Sequence, residues 1–555
     1  AASTSPSHLA AGRTAAPWPG VGHERRLPPQ WQARRFYKYM LPLALVQLVV
    51  MVVPILGLFN HEGQKFGAQL VLFLSNIPPW LSWMVFGMYS LTTVVNYVYH
   101  YFRLAGSEAV PVQPGFETSS RPLQHVVIVC AYKEPAEVLE RTFESIAQQR
   151  GIGRAPIAVL AAEDRDESRH ACFAALQQRC GGRLPRLLLT SHSLSEGEAT
   201  GKSSNENFAA REVYRRLVDS EGYDPFEVIV TICDADSIFS NTYLSHVEAA
   251  YTGEPDGRRL IYKGPLNVYR NFSDAGLLVQ SLELARCHQD AFHSLMTVPY
   301  PYSNYSLSLG FASELGFWTP DCMPEDIHTA NKAMVNSFGS RAVVTIPSVI
   351  CNDLVPLVAD RYQQATRHQF GSVTELAWLG ALLTETRLRL PAWGAVLCAE
   401  ASRAGSLPGA MLCLAGHLLN AALVVALHQN WQDLTPKATT VLSLMGASAV
   451  VQWTCFWAAE LALWATLLQQ FPLQAPSFVR WLLLIAVMPC ASLVNSLLFF
   501  IVPTLHALYH AAFVGELAYV CAPKGEAARG LAPGLDNLSP RGTRGSSPSS
   551  GVSGL

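Results

Sequence analysis

Long stretches without a charged residue flank one charged segment in the middle of the chain. A membrane helix needs about 20 predominantly apolar residues, whereas a buried helix of a soluble protein is usually shorter and amphipathic. The pattern therefore predicts an integral membrane protein with two blocks of spanning helices. The last run, which contains two prolines, predicts two helices or one helix and an interfacial segment. The charge-free runs are Met40–Phe59, Phe66–Phe102, Ala404–Gln432, Ala438–Ala459 and Trp481–Gly515.

The charged middle segment shows a different pattern, in which short apolar runs alternate with helical ones. Three runs rich in β-branched residues, His125–Tyr132, Pro156–Ala162 and Glu227–Cys233, have the length of buried strands. Helical periodicity separates them, as over Ala136–Gln149. Strands that alternate with helices predict an α/β domain with a largely parallel sheet buried on both faces. Ligands of such sheets bind outside the carboxyl ends of the strands, so polar residues at those ends are candidate site residues.

These patterns divide the chain into successive segments. Basic residues between Arg25 and Lys38 precede the first apolar run, which favours a cytoplasmic N-terminal flank and, after two spans, a cytoplasmic central domain. The predicted segments are a disordered basic tail at 1–39, two transmembrane helices at 40–102, the α/β domain at 103–390, a block of three to four transmembrane helices at 391–519, and a disordered tail at 520–555.

Composition narrows the classes of function. Charged residues make up 15% of the chain and hydrophobic residues 50%, with a net charge of −2, whereas a soluble domain carries about 25% charged residues. This balance excludes a wholly disordered chain and argues against nucleic acid as a partner. The 12 cysteines form no C-x-x-C pair and no Cys/His metal spacing, so the sequence predicts neither a disulfide framework nor a zinc site.

Acidic residues follow two of the predicted strands. Glu163 and Asp164 come after the second run, and Asp234 and Asp236 form a D-x-D pair after the third. Two carboxylates on a tight turn can both face a divalent cation, and Mg²⁺ or Mn²⁺ prefers oxygen ligands, commonly carboxylates together with substrate phosphates. Alone, a D-x-D pair is more often a solvated acidic turn, so it becomes informative only together with other motifs.

Further polar motifs lie along the same segment. They are Tyr132–Glu134 after the first strand, Gly201–Asn207 (GKSSNEN), Pro324–Asp326 before a helical pattern, and Gln364–His368 (QATRH). With Asp164 and the D-x-D pair, this ordered series resembles membrane-integrated family 2 glycosyltransferases, the group that contains cellulose, chitin and hyaluronan synthases. The resemblance covers roughly residues 120–375.

That resemblance implies a GT-A-like α/β domain, with a Rossmann-like mixed sheet, flanked by transmembrane helices. Such a domain transfers a hexose from a nucleotide-sugar with inversion and uses Mg²⁺ or Mn²⁺. Asp326 is the implied general base, Asp234 and Asp236 hold the metal, and Glu325 and His368 contact the acceptor. The implied donor-binding residues are Tyr132, Glu134, Asp164, Lys202, Asn205, Asp234, Gln364 and Arg367.

The sequence departs from the family pattern at several positions. Pro324 replaces the Thr of the T-E-D motif, and K-S-S-N-E-N, beginning at Lys202, replaces K-A-G-N-x-N. His368 replaces the Trp of Q-x-x-R-W, whose flat ring lies beneath the acceptor sugar in processive synthases. Because His368 is smaller and can titrate, processive extension is in doubt. A packing role for His368 is an equal alternative.

We therefore expect an inverting glycosyltransferase that extends a polysaccharide at the membrane, with a UDP-sugar as the favoured donor and translocation of the product through its own helices. The alternative is a non-processive enzyme that acts on a lipid-linked acceptor. A catalytically inactive membrane transporter or scaffold is the alternative from another class. The expected location is the plasma membrane or the Golgi, in a multi-pass protein that contacts membrane lipids and has a cytoplasmic catalytic domain.

Overall fold

The computed structural model describes residues 122–265, 267–284, 286, 300–336, 342–385 and 478–514, together with the single position 95. Apart from that position, the spans predicted before residue 103 lie outside the described residues, as do those between 404 and 459. Both predicted tails also lie outside them.

The described strands form two sheets. They are β1 (Gln124–Ala131), β2 (Ile157–Glu163), β3 (Leu187–His192), β4 (Val228–Asp234), β5 (Ile238–Phe239), β6 (Ile261–Lys263), β7 (Val268–Tyr269), β8 (Tyr305–Ser308), β9 (Val343–Thr345) and β10 (Ile350–Asn352). The larger sheet has the strand order β3-β2-β1-β4-β8-β6-β9, and the smaller sheet has the order β5-β10-β7.

Helices lie between the strands along the chain and also follow the last strand. The α-helices are α1 (Ala136–Ala147), α2 (Arg169–Cys180), α3 (Lys202–Tyr214), α4 (Tyr243–Gly253), α5 (Leu309–Glu314), α6 (Glu325–Asn336), α7 (Val358–Glu385), α8 (Phe478–Asn495) and α9 (Val502–Tyr509). Residues 277–284 are also helical. Short 3₁₀ turns lie at Gly257–Arg259 and Phe272–Asp274, and π-helical turns at Arg215–Ser220, Ser496–Ile501 and His510–Val514.

The central strand β1 shows why the sheet is buried on both sides. Successive side chains of a strand point to opposite faces. Val126 and Ile128 therefore pack in one apolar cluster with residues of α3, whereas Val127 and Val129 pack in a second cluster with α1. Because both faces are covered, the strand is apolar along its length rather than alternating.

The predicted α/β architecture is confirmed, and the predicted strands lie within one residue of β1, β2 and β4. The larger sheet is mostly parallel, with one antiparallel strand. β1 pairs in parallel with β2 and β4, and β2 pairs in parallel with β3. However, β8 inserts antiparallel between β4 and β6. Four of the six pairings in the larger sheet are parallel, so the expected largely parallel arrangement and the mixed sheet implied by the family resemblance are both confirmed.

The C-terminal charge-free run is helical throughout the part that is described, residues 478–514. Within it, Leu497–Val514 has the length and mean hydropathy, 1.8, of a helix that could cross a membrane. Leu497–Val514 is the one helix among the described residues with this length and hydropathy. The core helix of a soluble protein can have the same length and hydropathy. Asn495 Nδ2 donates to Ser281 Oγ at 2.8 Å, so this run packs on the helical residues 277–284. The multi-pass arrangement stays a prediction.

Candidate active site

The carboxyl ends of three parallel strands bring predicted site residues to one edge of the larger sheet. Tyr132 follows β1, Asp164 follows β2, and Asp234 ends β4. Because these strands are parallel, their ends point the same way. The neighbouring strand β8 runs antiparallel to β4. The residues just before β8, including Ser303, therefore lie at the same edge.

Lys202 is at the centre of a group of acidic residues at this edge. Its Nζ lies 3.0 Å from Asp234 Oδ1, 3.3 Å from Glu206 Oε1 and 3.3 Å from Glu325 Oε1. The same nitrogen donates to the backbone carbonyl of Ser303 at 2.7 Å. We call the following set the lysine cluster: Lys202, Glu206, Asp234, Ser303, Glu325 and Asp326.

The backbone before Lys202 depends on a glycine. Gly201 has a φ of 129° and directly precedes the first residue of α3. Side-chain-bearing residues rarely adopt this conformation. The chain therefore turns into α3 at Gly201, and the helix begins with the lysine already directed at the cluster.

Ser303 connects the two acidic sides of the lysine cluster. Its hydroxyl donates to Asp234 Oδ2, and its backbone N–H donates to Asp326 Oδ2 at 3.0 Å. Ser303 has a φ of 65°, in the left-handed region that non-glycine residues seldom adopt. Such conformations persist only where the surrounding structure fixes them, often at functional sites. Here the unusual backbone presents the N–H, carbonyl and hydroxyl groups of one residue to three charged partners.

Glu325 and Asp326 begin α6, where the helix dipole favours negative charge. Asp326 Oδ1 accepts a hydrogen bond from the Ile327 N–H at 2.7 Å, in addition to the bond from Ser303 to Oδ2. Burial raises the pKa of Glu325 to about 7. Burial also raises the pKa of Asp326 above its ordinary value, although the bond from the Ser303 N–H opposes the rise. Asp326 therefore takes up a proton closer to neutral pH than a free aspartate does.

The lysine cluster contains more carboxyl groups than ammonium groups. Glu206 is fully buried, and burial together with Glu325 and Asp234 raises its pKa well above the usual range, although Lys202 opposes this rise. Burial lowers the pKa of Lys202, but the three carboxylates around it outweigh that effect and raise the pKa well above its ordinary value. A site with surplus carboxylate oxygens favours an added divalent cation, and its donor atoms fit Mg²⁺ or Mn²⁺.

The second aspartate of the D-x-D pair has different partners. Asp236 is buried, and its Oδ2 accepts a hydrogen bond from the Asp353 N–H at 3.2 Å. The Asp353 carboxylate in turn binds the Arg270 guanidinium through hydrogen bonds of 2.6 to 2.9 Å. The D-x-D turn is thus fixed from two sides, with Asp234 bound in the lysine cluster and Asp236 bound beside the end of β10.

Asp164 occupies a more open position after β2. Its carboxylate oxygens accept hydrogen bonds from the hydroxyls of Ser191 and Ser193, and Arg169 lies 3.5 Å from Oδ1. The side chain is 38% exposed. The two hydroxyl bonds lower the pKa of Asp164, and Arg169 adds to this effect. Asp164 is therefore an ionised hydrogen-bond acceptor at neutral pH.

Tyr132 and Glu134 belong to a tight turn after β1. The Tyr132 N–H donates to Glu134 Oε2, and the intervening Lys133 has a φ of 62°. The Lys133 N–H donates to Asp166 Oδ2 at 2.8 Å, which ties this turn to the segment after β2. The Arg165 guanidinium lies 4.8 Å from the centre of the Tyr132 ring, a cation–π distance. The first two strand ends are therefore joined into one surface.

Asn205, a predicted donor-binding residue, contacts the sheet in this structure. It is buried, and its Nδ2 donates to the backbone carbonyl of Ala161 at 2.8 Å. This bond fastens α3 to β2 and so fixes the start of the helix that carries Lys202. A donor contact for Asn205 stays a prediction.

Gln364 lies on α7 beside a buried ion pair. Arg361 Nη1 donates to Gln364 Oε1 at 2.8 Å, and Arg361 Nε donates to Glu283 Oε1 at 2.7 Å. Arg361 and Glu283 are both almost fully buried. The pair therefore anchors the first turns of α7 to the helical residues 277–284, and it fixes the direction of the Gln364 amide.

His368 and Arg367 follow on the same helix, in basic surroundings. Arg286 Nη2 lies 3.3 Å from His368 Nδ1. Burial, together with the charges of Arg286 and Arg367, lowers the pKa of His368 well below its usual range. His368 is therefore neutral at physiological pH. The expectation that this histidine can titrate there is corrected, because burial and then the nearby guanidinium groups disfavour its charged form.

Two members of the lysine cluster were not singled out by the sequence. Ser303 lies in the aromatic stretch before β8, and only the antiparallel return of that strand brings it to Asp234 and Asp326. Glu206 occupies the unspecified position of K-A-G-N-x-N. Its spacing of four residues from Lys202, which places both on one helix face, is the signal that could have found it.

The chain is similar to several solved structures at low sequence identity. No protein-family model and no curated protein matches the chain. Similar solved structures include the mannosyltransferase PcManGT from Pyrobaculum calidifontis in complex with GDP-Man and Mn²⁺, with a TM-score of 0.38, 15% identity, and coverage of 75% of this chain and 99% of that chain. S. aureus TarS gives a TM-score of 0.28 and 14% identity over 54% of this chain and 53% of that chain. TarS 1–349 in complex with UDP gives a TM-score of 0.28 and 12% identity over 54% of this chain and 87% of that chain.

Proposed function

We propose that the chain is an inverting glycosyltransferase with a GT-A-like domain, which moves a sugar from a nucleotide-sugar to an acceptor hydroxyl. The observation that supports this most is the arrangement of Ser303. This one residue binds both Asp234, the first D-x-D aspartate, and Asp326, the proposed base. Carboxylates for a cation and for proton transfer thus meet at the carboxyl edge of parallel strands, where such folds bind ligands.

Asp326 is the proposed general base. An attacking hydroxyl loses its proton as it bonds to the anomeric carbon, and a carboxylate within hydrogen-bond reach can accept it. The Ser303 N–H holds Oδ2 and the Ile327 N–H holds Oδ1, so the carboxylate is oriented before the acceptor arrives. The raised pKa of Asp326 makes it a stronger base than a solvated aspartate. One base and one direct displacement give inversion.

The departing diphosphate carries negative charge, which Lys202 and Arg367 are proposed to stabilise. Arg367 offers a permanent charge with a geometry that suits phosphate. Asp234 and Asp236 would hold Mg²⁺ or Mn²⁺, which supplies positive charge to the leaving group when bound. In the free protein the Lys202 ammonium lies among the carboxylates. It therefore already compensates part of their charge.

The donor nucleotide is proposed to lie along the joined ends of β1 and β2. Asp164 is ionised and partly exposed, which suits hydrogen bonds to the N–H groups of a base. Tyr132 lies in the turn after the neighbouring strand β1, with the Arg165 guanidinium against its ring, and Glu134 accepts a hydrogen bond from the Tyr132 N–H in that turn. A UDP-sugar is the favoured donor, with the nucleotide preference decided by experiment.

The acceptor is proposed to be a growing polysaccharide at the membrane, with Glu325 and His368 beside it. The charge-free runs on both sides of the domain support a membrane location and translocation of the product. The replacement of the family Trp by His368 favours a second candidate, single transfer to a lipid-linked acceptor. A catalytically inactive transporter or scaffold is disfavoured by the retention of Asp234, Asp236 and Asp326.

The proposal is tested with the full chain and a panel of UDP- and GDP-sugars, with membrane lipid present. We expect release of nucleoside diphosphate that requires Mg²⁺ or Mn²⁺ and is lost in Asp236→Asn. Failure of every donor, or turnover by Asp236→Asn at the wild-type rate, contradicts the proposal. Sizing the product separates a polymer from a single-sugar lipid.

A further inference from the structure

A second group of side chains, which could bind a metal, lies where the start of α6 meets α7. Cys322 precedes the helix, His328 lies within it, and Glu375 reaches it from α7. One possible ligand atom of each residue lies within 4.8 Å of those of the other two. All three side chains are almost completely buried, at 0%, 1% and 0% exposure respectively.

The carboxylate of this trio is tightly oriented. His328 Nδ1 lies 3.0 Å from Glu375 Oε2, and Asn331 Nδ2 donates to Glu375 Oε1 at 2.8 Å. Burial raises the pKa of the Cys322 thiol well above its usual range, and the Glu375 charge adds to the rise. A buried thiol beside a carboxylate keeps its proton unless a cation replaces it.

We propose that Cys322, His328 and Glu375 form a metal site for zinc or a similar borderline-soft divalent ion, which braces α6 against α7. Thiolate, imidazole and carboxylate are the ligand types of zinc, whereas Mg²⁺ and Mn²⁺ prefer oxygen. Zinc–ligand bonds of about 2.0 to 2.3 Å place tetrahedral ligands roughly 3.5 Å apart, so small side-chain movements close the trio. On binding, the Cys322 thiol releases its proton to solvent and its sulfur bonds the metal.

The charge balance supports this assignment. A thiolate and a carboxylate together neutralise a divalent ion, and buried charges in proteins are usually paired or coordinate a metal. The Asn331 amide holds one oxygen of Glu375, the kind of outer contact that orients metal ligands. A metal bound at this site would link α6, which begins with Glu325 and Asp326, to α7, which carries Arg367. The metal site goes beyond the proposed function and does not depend on it.

Lys332 offers the competing explanation for the buried charges. It lies one turn after His328, and burial lowers its pKa to about 8, although the Cys322 and Glu375 charges oppose this fall. Its ammonium, however, donates to the backbone carbonyls of Leu315 and Phe317. If Lys332 alone compensates the trio, the protein neither retains nor takes up a thiolate-bound metal.

The test uses the full chain, purified without chelators. Elemental analysis should find about one zinc-class ion per chain. After chelation, titration with Co²⁺ should give the near-ultraviolet band of a cobalt–thiolate bond. That band should be absent in Cys322→Ser and present in Cys180→Ser, a control at an equally buried cysteine on α2.

Measurements on the wild-type protein test the metal site even if Cys322→Ser fails to fold. The proposal is wrong if the wild-type protein contains no bound metal and also gives no cobalt–thiolate band. It is also wrong if Cys180→Ser loses the band. Asp236→Asn should keep the band, because the D-x-D site offers no thiol. A wild-type protein that shows the band yet turns over no nucleotide-sugar would refute the proposed activity alone.

Discussion

Two acidic sites at the same edge of the sheet differ in their surroundings. Asp164 is 38% exposed and accepts hydrogen bonds from two serine hydroxyls, which lower its pKa. Asp326 lies at the start of α6 beside Glu325 and Lys202, and burial raises its pKa. Both residues are aspartates near the end of a strand or helix, but the Asp164 carboxylate is partly exposed to solvent and the Asp326 carboxyl group lies in more buried surroundings.

That difference assigns different chemistry to the two carboxylates. A carboxylate with a lowered pKa stays ionised and serves recognition, because it gives up its charge only in acid. A carboxylate with a raised pKa holds a proton more tightly than a solvated one, so it is the stronger general base. The contrast teaches that spacing along the sequence locates carboxylates, whereas burial and hydrogen-bond donors decide what each one does.

The largest effect is expected from removal of the base. Asp326→Asn should lower kcat by about 10² to 10⁴-fold, the usual contribution of a positioned general base, with little change in donor affinity. Turnover measured as nucleoside diphosphate release checks this. Asp219→Asn, at an exposed position after α3, is the matched control and should keep wild-type activity.

Loss of the central ammonium should destabilise the fold as well as the site. Lys202→Met leaves buried carboxylates without their partner, which should lower the free energy of unfolding by about 3 kcal/mol. Urea denaturation monitored by fluorescence measures this change. Lys133→Met, at an exposed lysine, should leave the midpoint unchanged. Equal destabilisation by both variants would contradict the electrostatic role given to Lys202.

A smaller and different effect is expected at the open carboxylate. Asp164→Asn removes a charged hydrogen-bond acceptor, and such bonds contribute about 1.5 to 3 kcal/mol. Donor KM should therefore rise about tenfold to a hundredfold, while kcat at saturating donor stays near wild type. A fall in kcat with unchanged KM would contradict the assignment of Asp164 to donor binding and of Asp326 to proton transfer.

The smallest expected effect is a shift in pH dependence. Burial raises the pKa of Glu325 to about 7 and raises that of its neighbour Asp326. Because a protonated base cannot accept a proton, kcat should fall as the pH decreases through the raised pKa of Asp326. Glu325→Gln should move this acid limb to lower pH. Asp164→Asn should leave the limb in place, since the pKa of that residue is already low.

Much of the framework could be predicted from the sequence. The buried strands appear as short apolar runs, and Asp164 and Asp234 come at their ends. Since ligands of such sheets bind at the carboxyl ends of parallel strands, the two aspartates could be recognised as site residues. Glu325 and Asp326 precede a helical pattern and do begin α6. These features depend on local pattern, which a single sequence contains.

The rest depends on contacts between distant parts of the chain. Ser303 acquires its role through a left-handed backbone and through β8, which returns antiparallel beside β4. His328 and Glu375 are 47 residues apart and meet only because α6 packs near α7. Cysteine spacing alone therefore gave no sign of a metal site that includes Cys322.

The most direct test measures donor affinity and turnover at saturating donor for Asp164→Asn and Asp326→Asn side by side. Asp326→Asn should bind the nucleotide-sugar like wild type but release almost no nucleoside diphosphate. Asp164→Asn should bind the donor weakly but turn over once saturated. Wild-type turnover by Asp326→Asn, or an equal loss of both quantities in both variants, would contradict the assignment of Asp326 as the base.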